Sequence, residues 1–479
     1  MKFPLEIEPF APVEATPERI AELENLAHVL LNETIVEWDH FVHVQNRVVD
    51  KKRWKHVQTR ENTTVYKDMH HGKSDPVPQY PGTPSTVGAG SGLRLLSVGT
   101  MVGNLEDFML GTTTTTTDQM RIRRSYNDDE CVDYRVLNVW REPTVDDPFV
   151  VHSLRWYVKE VRGVNAIVKS RDLVLLDCAG IHQMPNGERL GYIILHSVDV
   201  PECREIPGLI RCQLSACYIF RQSGSNSVEV YLRSMVEPGG KIIDSLATFS
   251  SAIALISTWK LPWVGQNRKL TWMMTQPASV RAEMLGKAIT ATKSARKDKC
   301  SLCLKRITLL RRVSACELCM DSVCSRCLTV RKLSYIRRNG DLVQVPTAFC
   351  KNCIMWSTNL DASEVGRALS VYHERKSSVE VNLGLVKLLS AQRNTTSTTD
   401  EGCVSQELEA GNLHVETEDE WERRQALGRS PSSSTGSESA QDVMMMQMNQ
   451  LVLAAEQAYQ MTQQNTEAMA QSMHSLPKP

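Results

Sequence analysis

Eight cysteines between Cys300 and Cys353 constrain this chain more than any other feature. They come as four doublets, Cys300–Cys303, Cys316–Cys319, Cys324–Cys327 and Cys350–Cys353, each with two residues between its thiols. That spacing lets one tight turn aim both sulfurs at a single ion, and four thiolates close a tetrahedral zinc site. Eight thiolates therefore imply two Zn2+ ions. The second and third doublets stand only four residues apart, which disfavours neighbouring doublets each closing a site of their own. Interleaving is expected: Cys300, Cys303, Cys324 and Cys327 around one ion, Cys316, Cys319, Cys350 and Cys353 around the other. Disulfides are the competing chemistry. Residues 1–10 carry acids and prolines and no apolar run of the kind an export signal needs. The six remaining cysteines (131, 178, 203, 212, 217 and 403) form no doublets, and the chain reads as a cytoplasmic protein with reduced thiols.

The 479 residues allow two or three domains, and a hydrophobic share of 42% with 23% charged is ordinary for a globular chain. Net charge is zero, so no whole-chain field attracts nucleic acid. No apolar window reaches membrane-spanning length.

Thr16-Pro17 predicts a helix start, and Ile20, Leu23, Ala27, Leu30 and Leu31 follow at helical spacing. Strand character runs from Trp54 to Tyr66 and from Leu93 to Val102, around a Pro- and Gly-rich loop over His70 to Ser91. A short helix is expected from Asn104 to Leu110. The threonine run 112–117 reads as a low-complexity loop. Strand signals then repeat at 132–140, 149–161, 172–176, 189–198, 214–220 and 227–235, at hairpin-like distances. After the Glu237-Pro-Gly-Gly breaker, Ile242, Leu246, Phe249, Ile253 and Ile256 mark a long helix with an apolar face. The expected fold is α+β, a curved antiparallel sheet gripping that C-terminal helix. Residues 261–290 read as a linker, docked through Trp259, Trp263 and Trp272.

Residues 15–260 resemble the START lipid-transfer fold. The resemblance rests on Val98-Gly-Thr-Met-Val-Gly-Asn-Leu-Glu-Asp-Phe, Ser170-Arg-Asp-Leu-Val-Leu-Leu, Gly191-Tyr-Ile-Ile-Leu-His-Ser-Val and Glu237-Pro-Gly-Gly-Lys. It implies a helix-grip domain with a hydrophobic cavity for one lipid or sterol-like molecule. A filled core with the same apolar helix face is the other reading of those residues.

The cysteine spacing over 291–360 resembles the FYVE zinc finger, with a two-zinc cross-braced arrangement. The RING pattern places a histidine shortly after the third cysteine, and no histidine occurs between 300 and 353. The phosphoinositide motif is degenerate. Ser314 and Ala315 stand where that family has paired histidines, and Glu317 and Ala348 where it has arginines. Phosphate recognition needs several donors converging on one polyanion, and a carboxylate there repels it. The expectation is no selectivity for phosphatidylinositol 3-phosphate. Fourteen Lys/Arg against four acids over 290–360 leave Lys305, Arg306, Arg311 and Arg312 as candidate contacts to an anionic membrane surface, peripheral at endosomal membranes. START and FYVE modules joined in one chain resemble proteins abundant in oomycetes.

Beyond the finger, 361–392 reads as short helices. Residues 393–441, with eleven acids over 400–442 and a Ser-rich run, read as a disordered linker. Residues 442–474 read as an amphipathic, Met-rich helix, a weak coiled coil for protein partners. No P-loop, G-x-S-x-G or H-E-x-x-H occurs, so the chain is not expected to be an enzyme. The function these features imply is a non-catalytic lipid- or membrane-associated adaptor; a protein–protein scaffold without lipid is the alternative.

Overall fold

The computed structural model describes residues 2–69, 92–127, 130–161, 168–285, 299–306, 313–337 and 339–378. The expected tail linker and Met-rich helix, the 70–91 loop, Arg311 and Arg312 lie outside these residues. Helix α1 (Pro17–Asp39) starts where Thr16 caps it, accepting from the Arg19 amide. A π-helical turn, His40–Val44, ends it. Strands β1 (Trp54–Arg60), β2 (Asn62–Asp68) and β3 (Leu93–Val102) follow, then α2 (Leu105–Thr112) and α3 (Thr117–Tyr126). Next come β4 (Cys131–Arg141), β5 (Val151–Lys159), β6 (Arg171–Gln183), β7 (Arg189–Ser197), the two-residue β8 (Ile210–Arg211), β9 (Gln213–Gly224) and β10 (Ser227–Glu237). Helix α4 (Asp244–Ile256) closes the series.

The strands form one ten-stranded sheet in the order β1-β2-β3-β10-β9-β7-β6-β5-β4, with β8 pairing parallel to β6 and every other pair antiparallel. Side chains alternate across it. Tyr157, Leu175, Ile193, Tyr218 and Leu232 share one apolar cluster with Ala252, Leu255 and Ile256 of α4 and Phe108 of α2. Trp156, Leu176, Ile194, Ile219 and Tyr231 point the other way, into a second cluster with Leu23, Leu30 and Trp38 of α1. The Tyr218 hydroxyl donates to the Leu255 carbonyl at 3.1 Å, tying α4 to the sheet. This is the α+β, helix-gripping architecture expected from the sequence.

Two stretches differ from expectation. Residues 261–275 are not linker but helix α5 (Leu261–Thr275), ten of whose fifteen residues are buried. They include Gln266, Asn267 and Lys269, so the polar residues of this helix are not confined to its water-facing side. The threonine run is no slack loop either. The Thr112 and Thr113 hydroxyls donate to the Phe108 and Met109 carbonyls, Thr116 caps α3, and Thr117 accepts from the Val136 amide.

After α6 (Ala278–Met284) the chain builds a small module from two hairpins, β11 (Val313–Ala315) with β12 (Ser322–Cys324), and β13 (Leu328–Ile336) with β14 (Leu342–Cys350). Helices α7 (Lys351–Asn359) and α8 (Ala362–Ser378) then return to the first domain. There Ala362 and Val365 join its core, and Arg367 donates to the Val145 carbonyl at 3.2 Å.

Candidate metal centres and the buried polar cluster

The eight cysteine sulfurs fall into two groups of four, Cys300, Cys303, Cys324 and Cys327, and Cys316, Cys319, Cys350 and Cys353. Within each group all the sulfurs lie within 4.8 Å of one another. This is the interleaved pairing. The local cause is visible in the turns. The Leu304 amide donates back to the Cys300 carbonyl and the Met320 amide to the Cys316 carbonyl, so the first two doublets are closed knuckles. Leu304 and Met320 pay for those turns with positive φ (56° and 59°) and exposed side chains.

The donor set fits a tetrahedral thiolate site. Cys303 and Cys324 sulfurs are 3.8 Å apart, and Cys319 and Cys350 sulfurs 3.9 Å. A tetrahedron with metal–sulfur bonds of about 2.3 Å has edges of about 3.8 Å. Backbone amides add outer support: Cys324 N–H points at the Cys300 sulfur (3.4 Å) and Cys350 N–H at the Cys316 sulfur (3.2 Å). Each group can hold one metal ion, and with four protein sulfurs it has no vacant ligand position for substrate.

Of the residues expected at an anionic surface, Lys305 and Arg306 are exposed beside the first group. Ser314 and Ala315 lie in β11, paired with Val323 and Ser322. The Glu317 amide donates to Ala348, and the Glu317 carbonyl accepts from Arg281 of α6 at 3.1 Å.

The module is welded to the first domain through α5. Leu270 and Met273 of α5 sit in the same apolar cluster as the cysteines, Leu333 and Phe349. The fully buried Arg331 donates to Asn267 at 3.2 Å and lies over the Trp263 ring, 4.0 Å from its centroid. The Tyr126 hydroxyl of α3 accepts from the Ser334 amide at 2.6 Å. Lys269 pairs with Asp107 of α2 and donates to the Thr358 carbonyl of α7 at 3.1 Å. Burial raises the Asp107 carboxyl above the usual range, and Lys269 opposes the rise.

A second polar cluster lies in the first domain, on the sheet face that α4 covers. Arg155, 1% exposed, faces Asp177 at 3.2 Å, donates to Ser153 at 2.8 Å, and meets Thr114 through its hydroxyl at 3.1 Å and its carbonyl. The Tyr157 hydroxyl donates to Asp177 at 2.5 Å, and burial and then Asp177 push its pKa up. Beside it, Arg268 and Arg123 donate to the carbonyls of Leu110, Thr112 and Thr113. Two guanidiniums thus meet the carbonyl end of α2, where the helix dipole is negative, and Arg155 meets Thr114 just beyond it. Burial and then Arg123 lower Arg268 to about 10. Sequence reasoning missed this cluster. The one signal for the threonines was Thr116 followed three residues later by Gln119, a capping-box spacing.

No family model matches the chain and no curated protein does. Among solved structures it is similar to human StAR-related lipid transfer protein 5, with 12% identity and a TM-score of 0.35 over 51% of this chain and 96% of that one. It is similar also to human STARD10 (13%, 0.31, covering 47% and 78%) and to the human StarD13 lipid transfer and protein localization domain (13%, 0.29, covering 47% and 94%). At these identities and TM-scores the likenesses carry no argument about a ligand.

Proposed function

We propose that the chain is a non-catalytic lipid-binding adaptor whose START-like domain (15–260) takes one uncharged lipid, and whose FYVE-like finger (291–360) holds two Zn2+ ions as structural staples. The observation that carries the lipid reading is that four of the cations on or beside the α4-covered sheet face already have partners, Arg123 and Arg268 in backbone carbonyls and two others in carboxylates. Arg155 is met by Asp177, and Lys159 by Glu130 at 3.4 Å. A phospholipid headgroup buried there needs an uncompensated partner; a hydroxyl needs one donor or acceptor from a cluster such as Tyr157–Asp177. Extraction of lipid from the purified full chain, followed by mass spectrometry, tests this. Recovery of an uncharged, hydroxyl-bearing lipid supports it; recovery of phospholipid, or of nothing, refutes it.

A second reading, a ligandless scaffold, is favoured by the large rings on the same face, Tyr218 stacked on Phe220 at 5.7 Å and Phe108 at 5.3 Å from Phe220. The extraction separates the two.

For the finger, exposed Lys305 and Arg306 support non-selective attraction to an anionic membrane surface, cytoplasmic and peripheral at endosomes. Ser314, Ala315 and Glu317 argue against selectivity for phosphatidylinositol 3-phosphate. Liposome flotation with and without that lipid checks both. The Met-rich 442–474 segment is the proposed contact to protein partners, and nucleic acid is not one of them.

A further inference from the structure

The turn that joins α1 to the sheet presents apolar surface that the core does not use. Phe41 and Val42 are buried there, but Val44 and Val48 are 64% and 67% exposed. The turn is held by its own backbone. The Arg47 amide donates to the Phe41 carbonyl and the Val48 amide to the Gln45 carbonyl, both at 2.9 Å, with Asn46 and Arg47 at positive φ (50° and 61°). Residues with a Cβ rarely adopt that conformation, so the valines are displayed by a turn of fixed shape. Cations follow in the chain. Between His43 and His56 there are five Lys/Arg and one acid, Asp50. Arg47 is engaged by Glu229 at 2.6 Å and Arg53 by Asp68 at 2.9 Å; Lys51, Lys52 and Lys55 are exposed. Residues 70–91, which follow β2 closely, lie outside the described residues and hold one lysine and one aspartate, so their formal charge leaves this balance positive.

We infer that this turn and the start of β1 form a docking surface for an anionic lipid bilayer, separate from the finger. Charge decides the sign of the partner, since each lysine brought to an anionic membrane adds attraction. Charge alone does not decide its class. β1 ends the strand order of the sheet, and lysine on an edge strand also keeps other strands from pairing, which would account for Lys55 by itself. It leaves the valines unexplained. Two aliphatic side chains held in water beside three ammoniums gain by entering hydrocarbon, and a lipid surface offers hydrocarbon and negative charge together. A nucleic acid offers the charge without the hydrocarbon. Trp54, the ring of this stretch, is half-buried with the Arg53 guanidinium 5.3 Å from its centroid, so it is not open to stack on a base. The surface depends neither on a lipid held inside the first domain nor on Lys305 and Arg306.

The test is co-sedimentation of the full zinc-loaded chain with vesicles of phosphatidylcholine alone and of phosphatidylcholine with phosphatidylserine. It is run on the Lys305→Glu/Arg306→Glu variant, which removes the exposed cations of the finger named above. That variant is expected to bind the mixed vesicles and not the neutral ones. Adding Lys51→Gln, Lys52→Gln and Lys55→Gln should weaken binding about a hundredfold, three lysines at about 1 kcal/mol each against about 1.4 kcal/mol per factor of ten. Val44→Ser with Val48→Ser should weaken it about tenfold and leave binding of a DNA duplex unchanged. All five positions are exposed, so two zincs per chain and an unchanged circular dichroism spectrum establish that the variants fold. Failure to bind the mixed vesicles, binding indifferent to the three lysines, or a valine variant that binds vesicles as before overturns the inference. A preference for the DNA duplex over the mixed vesicles overturns it in favour of a nucleic-acid surface. Binding that appears only once residues 400–442 are removed overturns it too, and makes the acidic tail the occupant.

Discussion

Gly265 of α5 lies so close to Asp107 of α2 that a Cβ built on it would stand 2.3 Å from the Asp107 carbonyl oxygen. Gly111 meets the Leu261 carbonyl in the same way, at 2.2 Å. The two helices cross backbone to backbone, and this one of the contacts that hold α5 on the first domain depends on hydrogen atoms in place of side chains. Gly265→Ala and Gly111→Ala are expected to destabilise the chain by at least the ~1–3 kcal/mol typical of overpacking, because backbone cannot swing aside as a side chain can. Urea unfolding of each variant checks this.

The same crossing buries Asp107 against Lys269, with the side chains 2% and 1% exposed. Lys269→Met leaves an uncompensated carboxylate and is expected to cost ~3–5 kcal/mol. The double variant Lys269→Met/Asp107→Leu should recover part of that loss. A double variant as unstable as the single one contradicts the account.

The cysteine pairing makes a prediction about stoichiometry. Cys300→Ser with Cys327→Ser should remove one zinc of two, whereas Cys300→Ser with Cys353→Ser should remove both. Metal content by mass spectrometry of the purified chains distinguishes this from any arrangement of neighbouring doublets. Chelation should also loosen α5, whose Leu270 and Met273 pack on the sulfurs' cluster, and new proteolytic cleavage within 261–275 would report it.

His196 is buried on the α1 side of the sheet, its Nδ1 2.9 Å from the Ser215 hydroxyl, and burial lowers its pKa from 6.5 to about 4. The folded state holds it neutral while the unfolded chain takes up a proton below pH 6.5. Its contribution is therefore complete above 6.5 and is lost as pH falls towards 4, by an amount on the order of 3 kcal/mol. His196→Gln should flatten the stability curve across that window.

Much of this fold could be read from residue order alone. The hairpin strands stand out as apolar runs separated by turns such as Pro185-Asn-Gly, and the doublet spacing alone indicates the sulfur pairing. Strand β6 runs on to Gln183 rather than stopping at Leu176, because the buried Asp177 interrupts its apolar run and looks like an end. Helix α5 escaped for a related reason: its buried Gln266, Asn267 and Lys269, which meet partners far away in the chain, blur the 3.6-residue signal. The Arg155 cluster is invisible without the third dimension, since Thr114, Tyr157 and Asp177 meet only once the sheet is folded.

Six identical residues in a row offer nothing to tell one position from the next, yet between Phe108 and Val136 the threonines at 112, 113, 116 and 117 each have a different hydrogen-bonding task. Adding or losing one would turn α3 by about 100° about its axis and swing Arg121 away from the Gly340 carbonyl it now reaches at 2.6 Å. A tract that looks repetitive enough to stretch is, in this molecule, a ruler of fixed length.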